Sequence, residues 1–249
     1  MRKNDNSDLL TMLDVSPKSI IAVVGCGGKT SLIELIATEK ISKCTSAKVL
    51  ISPTTKILPM TLNNTTLGDT QKSCNEHEAK PGIQCLGIKN KKSGKLEALP
   101  EKILADIVLK YDIALLEADG SRQLQCKGWL ENEPVIPQYC THTLGVLTIN
   151  PIGKPTTKKT VHNLPEFLTL TGLHENDIIT EKALEKMVTC SQGMFKNSVG
   201  DMYLIINQVE AESDSQKAEA FLKSIKAKYP NRFKNMIYGS IRGNSWKKL

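Results

Sequence analysis

A glycine cluster between an apolar run and a helical pattern constrains this fold most. Residues 20–24 (IIAVV) form a continuous apolar run, as expected for a strand buried on both faces. Residues 25–31 (GCGGKTS), here called the glycine–lysine loop, follow directly, and apolar residues then recur at helical spacing over residues 30–41. This strand–loop–helix order predicts an α/β chain with a phosphate-binding loop.

The glycine–lysine loop contains the residue types that phosphate binding requires. Glycines let backbone N–H groups converge on phosphate oxygens, and the N-terminus of the following helix favours an anion. The lysine can reach the terminal phosphates, and the hydroxyl beside it is a ligand for Mg²⁺. The candidate nucleotide-binding residues of this loop are Gly25, Gly27, Gly28, Lys29, Thr30 and Ser31.

The loop differs from the common G-x-x-x-x-G-K-[ST] pattern in length. Val23 occupies the position five residues before Gly28, and the first glycine of the loop is Gly25, three residues before it. A similar short loop occurs in ATP-binding domains of the Mur ligase type. The alternative is a glycine turn into an ordinary helix, with Lys29 in solvent.

Acidic residues follow a second buried run, DIALL, at residues 112–116. Ligands of open α/β sheets bind at the carboxyl ends of strands, and carboxylate oxygens are preferred by Mg²⁺. The candidate metal ligands are Thr30, Glu117 and Asp119. The candidate catalytic residues are Lys29, Glu117, Asp119 and Arg122. Arg122 would stabilise phosphate charge, and a surface ion pair is its alternative role.

Two more strand ends carry candidate nucleotide-binding residues. Thr54 and Thr55, in SPTTKI, could offer a hydroxyl to Mg²⁺ or to the γ-phosphate, although Thr is also common in ordinary turns. The stretch NQVE beginning at Asn207 resembles the N-K-x-D guanine-reading motif of GTPases, with Gln for Lys and Glu for Asp. It predicts contact with a nucleobase and leaves the choice between ATP and GTP open.

Apolar runs alternate with helical patterns along the rest of the chain. This alternation predicts an α/β fold with a mostly parallel sheet of about six strands and helices on both faces. We expect one nucleotide-binding domain over residues 1–249, with a possible insert or subdomain at 150–200. A hairpin is predicted from IQCLGI (residues 83–88) and the following KNKKSGKLEAL, with its turn near Ser93-Gly94. The predicted strands are 20–24, 48–52, 112–116, 143–149, 202–207 and 235–241.

Composition narrows the class of protein and its surroundings. The 249 residues are 40% hydrophobic and 4% aromatic, so the core must be largely aliphatic. No apolar stretch approaches the roughly 20 residues of a membrane span, and the N-terminus lacks a secretory signal pattern. Seven cysteines without a C-x-x-C pair indicate reduced thiols in the cytoplasm. The basic residues behind the net charge of +7 are not interleaved with aromatics, so we do not expect nucleic acid as a partner. Without a long apolar stretch, we expect no membrane partner either.

Together these segments resemble the YqeC family of selenium-dependent hydroxylase accessory proteins. The resemblance rests, in chain order, on GCGGKTSL, SPTTKI, EADGSR, KGWLENEPVIP, TLGVLTINPIGKP, VHN, SQGMFK and LIINQVE. It implies a P-loop NTPase-like fold and a role in maturing selenium-containing molybdenum hydroxylases. The family usually has V-H-R where this chain has Val161-His162-Asn163. The roles of His162 and of the Glu133-Pro134 loop, a recognition loop or a structural turn, stay open.

Three functions are compatible with this pattern. The leading one is an accessory NTPase that uses ATP or GTP with Mg²⁺ and acts on a molybdenum hydroxylase client or its cofactor. The second is a small-molecule phosphotransferase or ligase with a Mur-like short loop. The third is a scaffold that binds the client enzyme without hydrolysing nucleotide.

Overall fold

Strands and helices alternate along most of the described chain. The computed structural model describes residues 8–57, 65–68, 73 and 76–249. The strands are β1 (Ser19–Cys26), β2 (Lys48–Pro53), β3 (Lys56–Ile57), β4 (Thr65–Gly68), β5 (Gly82–Leu86), β6 (Ile88–Lys89), β7 (Leu96–Glu97), β8 (Ile113–Glu117), β9 (Cys126–Lys127), β10 (His142–Leu147), β11 (Val161–His162), β12 (Asp201–Ile206), β13 (Asn235–Ser240) and β14 (Ser245–Lys248). The helices are α1 (Leu9–Met12), α2 (Lys29–Lys43), α3 (Glu101–Val108), α4 (Leu164–Thr171), α5 (Glu181–Thr189) and α6 (Glu212–Lys228).

Nine of these strands form one sheet in the order β14-β13-β12-β10-β1-β8-β2-β5-β4. All neighbouring pairs are parallel except β13 and β14. The strand before the glycine–lysine loop is therefore central, with β8 on one side and β10 on the other. The carboxyl ends of parallel strands meet at one edge of a sheet, where ligands of α/β proteins bind.

The central strand β1 is buried along its whole length because helices cover both faces of the sheet. Ile20, Ala22 and Val24 lie in one apolar cluster with residues of α3, α4, α5 and α6. Ile21 and Val23 lie in a second cluster with residues of α1 and α2. Burying an aliphatic side chain of this size contributes roughly 1.5–3 kcal/mol, which explains why the run contains no polar alternation.

The predicted fold class is confirmed: this is an α/β structure with a mostly parallel sheet between helices. The six predicted strands correspond to β1, β2, β8, β10, β12 and β13. The sheet is larger than predicted because β4, β5 and β14 join it. Exposed side chains surround the buried Trp246 in β14, so this edge strand lacks the alternation that reveals a half-buried strand.

The predicted hairpin is confirmed only in its second half. Strands β6 and β7 pair antiparallel around the turn that contains Ser93-Gly94. The predicted first arm, residues 83–88 (IQCLGI), is mostly wrong, because residues 83–86 belong to β5, which pairs parallel with β2 and β4. Four of the five β5 residues are buried, so their apolar side chains belong to the main sheet.

Helices α4 and α5 lie within the segment 150–200. Phe167 and Leu184, one from each helix, are buried in the same apolar cluster as Ile20 of β1. The division of the chain into one domain with a possible insert stays a prediction from sequence.

The described part of the chain bears on two expectations from composition, one about membrane-spanning segments and one about the cysteines. None of its helices has the length and apolar character needed to cross a membrane. The six cysteines that fall within it form no disulfide with one another. The seventh cysteine, Cys74, lies outside the described residues.

Candidate nucleotide-binding site

The glycine–lysine loop joins β1 to α2 through two residues with positive φ. Gly25 has φ 103° and Gly28, the N-cap of α2, has φ 99°. A Cβ on Gly25 would also lie 2.3 Å from the carbonyl oxygen of Val146 in β10. The turn therefore needs glycine at these positions, for backbone conformation at both and for packing at the first.

Lys29 is buried beneath its own loop. Its Nζ donates a hydrogen bond to the Gly25 carbonyl oxygen at 2.7 Å. The same Nζ lies 3.2 Å from Asp119 Oδ1 and 3.8 Å from Glu117 Oε1, the acids at the end of β8. Burial alone would lower the pKa of Lys29, but these two carboxylates outweigh it and hold that pKa above its ordinary value. Lys29 is therefore a charged side chain at the N-terminus of α2.

Asp119 is fully buried and fixes the loop. The backbone N–H of Gly25 donates to both of its carboxylate oxygens, at 3.2 and 3.1 Å. Trp129 Nε1 donates to Oδ2 at 2.7 Å, and Lys127 Nζ lies 3.6 Å from the same oxygen. Burial would raise the pKa of Asp119, but the charges of Lys29 and Lys127, with these hydrogen bonds, hold it below its ordinary value. Asp119 is thus an ionised structural anion.

Glu117 and Thr30 form a second pair beside Lys29. Thr30 Oγ1 donates to Glu117 Oε2 at 2.9 Å. Burial raises the pKa of Glu117 above its ordinary value, although Lys29 and the Thr30 hydroxyl oppose that rise. A hydroxyl and a carboxylate at the helix N-terminus are oxygen donors of the kind that Mg²⁺ prefers. The described chain holds no group of three or more His, Cys, Asp or Glu placed for a metal, so such an ion would take further oxygens from phosphate and water.

A cavity of about 440 Å³, here called the loop cavity, opens at this place. Four cationic side chains and a single carboxylate line it, so its charge favours an anionic ligand. Its lining residues are Gly27, Gly28, Lys29, Thr30, Ser31, Lys56, Lys95, Glu117, Gly120, Ser121, Arg122, Gln123, Leu124, Gln125 and Gln208.

Most predicted site residues meet at the loop cavity, and Thr54 and Thr55 do not line it. Thr54 is buried; its N–H donates to the Glu117 carbonyl at 3.0 Å and its Oγ1 to the Val135 carbonyl at 2.6 Å. The buried Oγ1 of Thr55 has no hydrogen-bond partner within residues 8–57, 65–68, 73 and 76–249. Thr54 thus joins β2 to the end of β8, and direct contact of these hydroxyls with nucleotide stays a prediction.

Asn207 connects the glycine–lysine loop to the segment that follows β13. Its Nδ2 donates to the Gly27 carbonyl at 2.6 Å, and its Oδ1 accepts the backbone N–H of Ile241 at 3.1 Å. Both ends of the amide are therefore used inside the protein. Asn207 also lines a neighbouring cavity of about 480 Å³, here called the second cavity. The predicted contact of Asn207 with a nucleobase stays a prediction.

A buried ion pair behind the loop was not predicted. Lys127 is fully buried; its Nζ lies 2.8 Å from Glu133 Oε2 and donates to the Gly120 carbonyl at 2.6 Å. Trp129, two residues on, holds Asp119 from the same segment. All three residues lie in KGWLENEPVIP, a segment whose sequence is compatible with a recognition loop or a structural turn. In this geometry Lys127, Trp129 and Glu133 brace the candidate site.

His162 and Asn163 lie against this brace. The His162 carbonyl accepts the N–H of Gly128 at 2.9 Å, and Asn163 Nδ2 donates to the Gly128 carbonyl at 3.1 Å and lies 3.5 Å from Glu133 Oε2. Burial lowers the pKa of the His162 imidazole, and the nearby Lys127 and Arg122 charges lower it further. His162 is accordingly neutral at neutral pH.

Fold and site together define an α/β protein compatible with the P-loop NTPase-like fold, with a glycine–lysine loop after its central strand and an acid at the end of the neighbouring strand. The chain belongs to the YqeC family, since the model of that family, described as YqeC protein, matches residues 21–165. It is also similar to the uncharacterized protein YqeC of Escherichia coli (strain K12), with 28% identity over 183 residues that cover 72% of this chain and 71% of that protein.

Proposed function

We propose that this protein binds a magnesium–nucleoside triphosphate, ATP or GTP, in the loop cavity and acts on its γ-phosphate. The observation that carries the proposal is the meeting of Lys29, Thr30 and Glu117 at one cavity beside a helix N-terminus. Each group has a task in phosphoryl chemistry: a cation for the terminal phosphates, and oxygen ligands for a divalent ion. An ordinary glycine turn would not require a buried lysine there.

The contacts of Lys29 suggest how the site accommodates a phosphate. Lys29 Nζ is held by the Gly25 carbonyl, and phosphate oxygens would replace that acceptor while Asp119 keeps the loop shape. Thr30 and Glu117 would hold Mg²⁺, which supplies charge neutralisation at the phosphates. Arg122, an exposed cation on the cavity wall, would contribute further positive charge at the γ-phosphate.

Calorimetry with non-hydrolysable ATP and GTP analogues in Mg²⁺ tests the proposal. We expect saturable binding by the wild type, and Lys29→Ala to weaken it by about 100-fold, which is about 2.7 kcal/mol. Lys92→Ala, an exposed lysine of the β6–β7 turn, is the matched control and should bind normally. Because Lys29→Ala leaves a buried acid less well paired, Thr30→Val and an unfolding curve accompany it. Absence of binding to the wild type would refute the proposal.

The cellular role that we propose is maturation of selenium-dependent molybdenum hydroxylases. Its support is the resemblance of the loop, the EADGSR segment and the KGWLENEPVIP segment to that family. The test compares maturation of a client hydroxylase with wild-type protein and with Lys29→Ala. Loss of maturation in the variant supports a nucleotide-driven step, whereas full maturation without nucleotide binding supports the scaffold function.

A small-molecule phosphotransferase or ligase is the second candidate function. Lys56 and Lys95 favour it, because they add positive charge to the loop cavity from the small sheet of β3, β7 and β6. An anionic acceptor could bind there opposite the glycine–lysine loop. Phosphate release at a rate that no candidate acceptor raises would argue against this function.

A further inference from the structure

The loop cavity and the second cavity are parts of one cleft. They share four lining residues: Gly28, Ser31, Gln125 and Gln208. The complete lining of the second cavity is Gly28, Ser31, Gln125, Asn150, Asn207, Gln208, Glu210, Asp214, Ser240, Ile241 and Arg242. The second cavity therefore lies directly beside the loop cavity, within reach of a ligand held at the glycine–lysine loop.

The second cavity lies at a distance that suits a nucleobase. It is lined by residues that follow β12 and β13, and the strand order from the loop outwards is β1, β10, β12, β13. Three steps between neighbouring strands, at about 4.8 Å each, amount to about 14 Å. A triphosphate and a ribose bridge a separation of this size between the γ-phosphate and the base.

The two cavities differ in the sign of their charge. The loop cavity has Lys29, Lys56, Lys95 and Arg122 against Glu117. The second cavity reverses this excess, because two carboxylates, of Glu210 and Asp214, face one cation, Arg242. Phosphate is unfavourable at the acidic end, whereas a neutral group with N–H donors is favourable there. The cleft thus matches a ligand with an anionic end and a donor-bearing end.

Amide side chains line the passage between the cavities. Gln208 Oε1 accepts from Asn150 Nδ2 at 3.0 Å and lies 3.5 Å from Gln125 Nε2. Gln208 also has a positive φ of 64°. This bridge holds the loop after β12, and with it Glu210, beside the second cavity.

The Glu210 carboxylate is available to a ligand. Its contact with Arg242 is long, 3.7 Å, and the two side chains are 51% and 87% exposed. An exposed pair of this kind contributes little to stability, so a ligand can replace it. Asp214, by contrast, accepts the backbone N–H of Ala211 at the start of α6.

We propose that the second cavity selects guanine, and that Glu210 is the residue that reads it. The inference rests on nucleotide binding at the loop cavity. Guanine presents two adjacent donors, N1–H and the 2-amino group, which the two oxygens of one carboxylate can accept. Adenine presents an unprotonated N1 on that edge, which would face the carboxylate without a hydrogen bond, at a cost in affinity.

Competition binding in Mg²⁺ with non-hydrolysable guanosine, adenosine and xanthosine triphosphate analogues tests this inference. We expect the wild type to prefer guanosine over adenosine by about tenfold or more, as for loss of one charge-assisted hydrogen-bond pair. Glu210→Gln should lose that preference and gain affinity for xanthosine, because its amide can donate to the 2-oxo group and accept N1–H. Glu212→Gln, the exposed acid two residues on that does not line the second cavity, is the matched control.

The outcomes separate this inference from the proposed function. Equal binding of adenosine and guanosine analogues by the wild type overturns guanine selection while nucleotide binding stands. An unchanged preference for guanosine in Glu210→Gln overturns the role of Glu210. A shift of preference in Asp214→Asn but not in Glu210→Gln overturns the role of Glu210. No binding of any analogue refutes the proposed function itself.

Discussion

Both carboxylate oxygens of Asp119 accept the backbone N–H of Gly25, at 3.2 and 3.1 Å. This bond joins the first residue of the glycine–lysine loop to the segment after β8, the strand beside β1. The loop is two residues shorter than the common pattern, and here a buried acid from a neighbouring segment fixes its shape. Asp119 is accordingly a brace for the loop, and Glu117, which contacts Thr30, is the acid at the loop cavity.

Asp119→Asn should destabilise the protein strongly. The change removes the anion that balances Lys29 and Lys127, and loss of one partner of a buried ion pair costs about 3–5 kcal/mol. Urea denaturation measures the free energy of unfolding. Asp201→Asn removes an exposed partner of Lys234 and should cost at most about 1 kcal/mol. Equal unfolding midpoints for the two variants would show that Asp119 does not brace the glycine–lysine loop.

Glu117→Gln should separate nucleotide binding from phosphate release. Amide and carboxylate have the same shape, so we expect binding within a few-fold of wild type, and turnover reduced about 100-fold or more if Glu117 positions the metal or the water. Single-turnover assays with labelled nucleotide measure the rate. Unchanged turnover would exclude Glu117 from the chemistry.

The same variant should change how stability depends on pH. Burial raises the folded-state pKa of Glu117, so its contribution to stability is largest below the unfolded-state pKa and is lost as pH rises through the folded-state value. Glu117→Gln lacks this loss, so its stability should fall less than that of the wild type as pH rises through the folded-state pKa of Glu117. Urea unfolding between pH 4 and 8 follows the difference between the two curves.

Gly25→Ala should be far more harmful than Gly153→Ala. Both glycines have positive φ, 103° and 87°, so both variants carry left-handed strain of about 1–2 kcal/mol. Only Gly25 would place its Cβ against backbone, 2.3 Å from the Val146 carbonyl, whereas nothing lies within 4 Å at Gly153. Thermal unfolding of the two variants isolates the packing contribution. Similar losses would show that the loop can relax away from β10.

Thiol reactivity should distinguish Cys44 from Cys26. Cys26 lies in the glycine–lysine loop, where its thiol is fully buried, and burial raises the pKa of that thiol to about 12. Cys44 is exposed, and its hydrogen bond with Ser46 is the main cause that lowers the pKa of its thiol. Mass mapping after brief alkylation at pH 8 should find Cys44 modified and Cys26 protected until unfolding. Modification of both at one rate in the native protein would contradict this order.

The sequence predicted those parts of the fold whose signals are local. Strand β1 and helix α2 could be predicted because a buried run, a glycine turn and a helical period are adjacent in the chain. The second arm of the β6–β7 hairpin was predicted for the same reason. Strand β5 was misplaced because five residues carry no signal of their partner, and it pairs with β2 from a distant part of the chain.

The sequence likewise predicted which residues lie near the candidate site, but not all of their contacts. Lys29, Thr30 and Glu117 were predicted from residue type and from their place at strand ends, and they meet at one cavity. Thr54 was predicted by the same rule, yet its hydroxyl donates to the Val135 carbonyl. Residue type at a strand end indicates proximity to the edge of the sheet, and it carries no information about which neighbour the side chain contacts.

By itself the sequence determined the family, the α/β class and the presence of a short glycine–lysine loop after a buried strand, since each is encoded in contiguous residues. Only the tertiary structure decided which acid braces the loop, which acid lies at the loop cavity, and that the cleft continues to Glu210. Those relations join residues 94 positions apart at Gly25 and Asp119 and 180 positions apart at Gly27 and Asn207. They depend on the order in which parallel strands pack, and no local pattern of residues records that order.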